Sequence, residues 1–172
     1  MKKVLLGLVF VILIVASYLI YTEYSFSPLK EDDLKKLFKG YIGKPNIICS
    51  KDFIGVSSHG EVFDVCVYST KNALINNEFP EIIEWENKKI TNTTVIGKWR
   101  NSPIDSQTKT FYEPIFGAEN FKNVKECSSS FNEEMINPKN YYSYIYFSEG
   151  EEYFLLYCTG RQELYYIRLK GF

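Results

Sequence analysis

One histidine serves the whole chain, and there is no Cys-x-x-Cys, no Gly-x-Ser-x-Gly and no glycine-rich phosphate loop. Each absence excludes a class. Without Cys-x-x-Cys, a thioredoxin-type redox centre has no support. Without the glycine loop, nucleotide binding through backbone amides at a helix start has none. A basic run is missing too: Lys122, Lys125 and Lys139 alternate with Glu119, Glu126, Glu133 and Glu134, and the formal net charge is −1. Nucleic-acid binding needs a basic patch or stripe, so no nucleic-acid partner is expected.

What is present begins with a long apolar run. From Val4 to Tyr21 no residue is charged, and Lys2 and Lys3 precede it. A helix over residues 4–21 would be about 27 Å long, close to the hydrocarbon core of about 30 Å. The run therefore predicts a membrane helix with the two lysines inside. Residues 1–24 are read as a signal-anchor or signal peptide, and 25–172 as a single extracytoplasmic domain. The alternative is a secreted or periplasmic chain after cleavage near Ser17, since Ala16 and Ser17 offer small residues at the end of the apolar core.

The four cysteines, Cys49, Cys66, Cys127 and Cys158, all follow that run. An even count in an oxidising compartment predicts two disulfides. Three pairings are open; Cys49–Cys66 with Cys127–Cys158 is preferred because each would tie neighbouring regions to a strand.

Patterning predicts an α+β domain: an antiparallel sheet with a C-terminal three-strand meander and one to three packing helices, preceded by an N-terminal hydrophobic helix. "SPLKEDDLKKLF" reads as a short helix capped by Ser27, with Pro28 at its first position and Leu34, Leu37 and Phe38 on one face. "NIICS" and "EVFDVCVYS" read as strands, with Phe63, Val65 and Val67 as the core face. "TKNALINNEFP" suggests a helical turn. "EIIEWENKKI" and "TTVIGKWR" suggest strands joined in a hairpin around Asn87 and Lys88, or around Asn92. Asn92–Thr93–Thr94 is also a glycosylation sequon. Residues 101–140 are irregular, with a helix expected in "GAENFKNVKEC". "NYYSYIYF", "EYFLLYC" and "ELYYIRL" are three strands with short turns, hence an antiparallel meander.

Candidate chemistry is thin. His59 lies in "SSHGE", beside Ser57, Ser58 and Glu61. A nucleophilic hydrolase would need such residues brought together, but the spacing is not diagnostic. Cys49, His59 and Cys66 are spaced unlike compact zinc sites, so no metal and no cofactor is expected. Glu81, Glu84 and Glu86 around Trp85 resemble ordinary polar-out, apolar-in patterning more than a sugar-cleaving carboxylate pair.

Aromatic content is the unusual feature, with 14 tyrosines and 13 phenylalanines. Tyr142, Tyr144 and Tyr146 share one face of a strand, and tyrosine suits binding surfaces; they are the candidate binding surface, for a protein or a glycan. The expected function is a non-enzymatic, membrane-tethered or secreted extracytoplasmic binding protein. Its partners would be the membrane, through residues 4–21, and another envelope protein or cell-wall component. The rivals are a small envelope hydrolase using His59 and an accessory subunit of a membrane complex.

Overall fold

The structure, a computed structural model, describes residues 2–24, 28–55, 57–116 and 118–171. It begins with helix α1 (Lys2–Tyr24) and the short helix α2 (Glu31–Leu37). Then come β1 (Phe38–Lys39), β2 (Asn46–Asp52), β3 (Val62–Ser69), β4 (Leu74–Ile75), β5 (Glu84–Trp85), β6 (Lys88–Lys89), β7 (Val95–Ile96) and β8 (Arg100–Asn101). Four helices follow: α3 (Ser106–Phe111), α4 (Glu113–Phe116), α5 (Ala118–Cys127) and α6 (Phe131–Ile136). The chain closes with β9 (Tyr141–Phe147), β10 (Glu151–Cys158) and β11 (Glu163–Lys170).

The fold is α+β. One antiparallel sheet runs β2-β3-β11-β10-β9-β7, with β8 also pairing β9, and β9-β10-β11 form the C-terminal meander. The central strands are apolar on both faces, so both are covered. Toward α3–α6 point Val65, Ile167, Phe154 and Tyr144, successive partners across four strands. This face packs with Tyr112, Ile115, Val124 and Phe131 from the helices. The opposite face carries Cys66, Tyr68, Tyr153, Leu155 and Tyr166 under Leu34, Leu37, Phe38, Phe79 and Trp85. Phe63, Val65 and Val67 were expected to mark the only core side of β3, but Asp64, Cys66 and Tyr68 are just as buried.

Local details depart from the sequence patterns for physical reasons. Helix α2 starts at Glu31, and Asp33 Oδ2 accepts the Lys30 N–H at 3.2 Å, where a Ser27 cap was expected; Ser27 lies outside the described residues. The stretch around Ala73 forms turns and β4 rather than a helical turn. Strands β7 and β8 of "TTVIGKWR" pair with β9 and not with "EIIEWENKKI"; the hairpin is instead β5 with β6, turning at Glu86 and Asn87, both at positive φ (47° and 65°). That is the backbone of a tight two-residue hairpin. "TTVIGKWR" is two short strands, interrupted at Gly97.

Two expectations are overturned. The first is the membrane anchor. Among the described residues no helix is long and apolar enough to cross a membrane. Positions 4–6 and 19–21 of the expected span lie outside the described side chains. With the anchor go the membrane-tethered location, the membrane as partner, the envelope or cell-wall binding role built on it, and the subunit of a membrane complex.

The second is the cysteine pairing. Cys49 bonds Cys127, with Cα atoms 5.6 Å apart, and ties β2 to α5. Cys66 and Cys158 are free and buried. A register shift between Ile47 and Cys49 lets Cys49 pack on the helix side, whereas Cys66 points to the other face. Neighbouring strands therefore do not bring Cys49 and Cys66 together. Residues 101–140, where at least one helix was expected, hold four short ones.

Candidate functional site

At the β7–β8 edge of the sheet, a cleft of about 360 Å³ opens between β9 and α3. Its wall is aromatic, from Tyr112, Tyr144 and Tyr146, and its polar lining is Arg100, Gln107 and Thr108. Gly97 explains where the Tyr144 ring lies. The Gly97 N–H donates to the Tyr144 carbonyl at 2.8 Å, and its carbonyl accepts from the Ser143 hydroxyl at 2.7 Å. The backbone is thereby held so close that a Cβ on residue 97 would stand 2.6 Å from Tyr144 Cε1. Only glycine leaves room for the ring there.

The polar side is organised by Asp105, the N-cap of α3. Its carboxylate accepts from the Thr108 N–H at 2.8 Å and the Thr108 hydroxyl at 2.7 Å, which satisfies one of the donors that open a helix. The same carboxylate accepts from the Tyr142 hydroxyl at 2.6 Å and pairs with Arg100 at 3.2 Å. The Tyr142 hydroxyl, followed by the two Thr108 donors, holds the Asp105 carboxyl well below the usual carboxylate range. The nearby Tyr142 hydroxyl, and then the Asp105 carboxylate, raise the Arg100 guanidinium further. The result is an Arg–Asp pair of zero net charge, fixed at the mouth of an aromatic cleft.

No family model matches the chain, and neither does any curated protein or solved structure.

A second polar cluster sits on the opposite face of the sheet, beneath the β5–β6 hairpin. Arg168 Nε donates to Glu151 Oε1 at 2.7 Å, and its guanidinium lies 3.7 Å from Asp64. Lys88 pairs with the other Glu151 oxygen. Tyr153 donates to Glu151 at 2.6 Å, and Tyr166 to Glu86 at 2.5 Å. Asp64 is 1 % exposed and neither carboxylate oxygen has a hydrogen-bond partner. Burial, and then the Asp52 carboxylate opposite it on β2, push its carboxyl up to about 8, with Arg168 opposing. Arg168, Glu151, Lys88 and Tyr153 are spent on one another, and Asp64 has only its longer contact with Arg168.

The residues singled out from sequence are placed as follows. Tyr142 is buried, while Tyr144 and Tyr146 are half-buried and line the cleft. His59 is exposed in a turn; its Nδ1 lies 3.2 Å from Ser58 Oγ, while Glu61 accepts from Ser57 instead. It lines none of the described clefts. Among the described residues no group of three or more His, Cys, Asp or Glu side chains could hold a metal, and Cys49 is consumed by its disulfide. Arg100, Gln107 and Gly97 were missed. The available signals were the glycine inside a strand pattern and Asp105 three residues before Thr108, a helix-start spacing.

Proposed function

We propose that this domain binds a small organic ligand in the tyrosine-lined cleft between β9 and α3. The observation that supports it is the combination at one place of aromatic walls and a few fixed polar groups. Ligand sites are typically concave, mostly apolar and roughly 300–1,000 Å³, and this cleft is about 360 Å³. Tyr144 and Tyr146 give stacking area at low entropic cost; Arg100 and Gln107 give orientation. The Cys49–Cys127 disulfide fits a chain working in an oxidising compartment, the secreted or periplasmic alternative. The test is a fragment screen by ligand-observed NMR on the full chain, repeated with Tyr146→Ala. Hits that weaken in the variant support the reading; hits indifferent to it, or none, refute it.

One observation favours a second reading, a hydrolase using His59: the 3.2 Å contact between His59 and Ser58. A nucleophile and base within reach is the first requirement of such chemistry, but among the described residues no acid is hydrogen-bonded to the histidine and no described cleft adjoins it. Hydrolysis of an activated ester that disappears in His59→Ala and Ser58→Ala would establish it.

A further inference from the structure

We infer that the ligand of the tyrosine cleft is a neutral saccharide of one or two rings; this rests on the cleft being the binding site. The charge balance points there. Arg100 is the only cation lining the cleft among the described residues, and Asp105 already neutralises it at 3.2 Å. An anionic ligand would have to displace the Asp105 carboxylate, which Tyr142 and two Thr108 donors hold in place. A cationic ligand would meet Arg100. A neutral polyol meets neither penalty.

The polar groups that remain suit hydroxyls. A guanidinium has five N–H donors, more than Asp105 uses. The Gln107 amide offers donors and an acceptor in one plane. Adjacent hydroxyls of a sugar act as both acceptor and donor, so they can bridge such groups. The faces of a sugar ring are C–H surfaces, and these lie against aromatic rings; Tyr144 and Tyr146 supply them. The fixed seat of Tyr144 over Gly97 means that its ring need not be ordered when ligand binds.

The experiment is saturation-transfer NMR on the full chain with three kinds of probe: the neutral disaccharides maltose, cellobiose and N,N′-diacetylchitobiose; glucose 6-phosphate; and 4-hydroxyphenylacetate. The expected result is binding of at least one neutral disaccharide. Its affinity should change less than about twofold between about 50 and about 500 mM salt, because no net charge is screened. Tyr146→Ala should weaken it roughly two- to tenfold, and Gln107→Ala, an exposed position that leaves the fold intact, should weaken it as well. Binding of the phosphate or the aromatic acid alone, still sensitive to Tyr146→Ala, would overturn the saccharide class and leave the cleft as the site. Saccharide binding indifferent to both variants, or no binding by any probe, would overturn both.

Discussion

The two faces of the sheet treat their polar groups in opposite ways. On the face beneath the β5–β6 hairpin, Arg168, Glu151, Lys88 and Tyr153 satisfy one another, and Asp64 lies next to them with no hydrogen bond at all. On the helix-covered face, Arg100 and Gln107 are exposed at the sheet edge, at the mouth of an aromatic cleft. Charge buried in the interior is committed to the fold and costs stability when a partner is lost. Charge fixed at a rim can serve a ligand. The lesson is that the more perturbed cluster need not be the functional one.

The comparison breaks most visibly at Arg168. Arg168→Ala removes the one cation beside Asp64 among the described contacts and one of the two that Glu151 holds, leaving Lys88, and should destabilise the domain by about 3–5 kcal/mol in chemical denaturation. Loss of the Cys49–Cys127 disulfide should come next. It closes a loop spanning a sequence separation of 78 residues, and Cys127→Ser should lower stability by about 2–4 kcal/mol.

Asp64 gives the pH dependence of the interior face. Its carboxyl rises from an ordinary 3.8 to about 8 on folding, so the folded state holds a proton that the unfolded state releases. Stability from this group is complete below about pH 4 and is lost as pH rises through about 8. Asp64→Asn removes that loss. At pH 8 the variant should be more stable than the parent by about 1–3 kcal/mol, and below pH 4 the two should converge, as denaturation at both pH values would show.

Gly97→Ala sharpens the other side of the comparison. It should cost about 1 kcal/mol or somewhat more through overpacking, yet weaken ligand binding by displacing the Tyr144 ring. The smallest effect belongs to His59. His59→Ala, at an exposed turn, should stay within about 0.5 kcal/mol of the parent.

Much of this architecture was legible in the chain. The three C-terminal strands carry their own alternation and short turns, and the meander follows from them. The helix at Leu34 and Leu37 was legible through spacing. Other features depend on contacts distant in sequence. The Cys49–Cys127 bond depends on a register shift in β2 and on where α5 lies, and neither leaves a mark in the cysteine spacing. Asp64 looked like the solvent side of an alternating strand because nothing local announces the Trp85 hairpin that covers that face. The cleft was half legible: Tyr144 and Tyr146 were marked by period two, while Arg100 and Gln107 come from β8 and α3, short elements with weak patterns of their own. The apolar N-terminal run read as a membrane span by length and composition, an expectation the described residues overturn.

The most direct test of the central claim is an NMR titration of the full chain carrying ring-labelled tyrosine, with the disaccharide that binds best as titrant. Tyr144 and Tyr146 line the cleft, while Tyr68, Tyr153 and Tyr166 lie buried on the opposite face. The account predicts that the ring signals of Tyr144 and Tyr146 move with saturation and that those of Tyr68, Tyr153 and Tyr166 stay in place. Movement confined to the opposite face, or no movement in the cleft at saturating ligand, would contradict it.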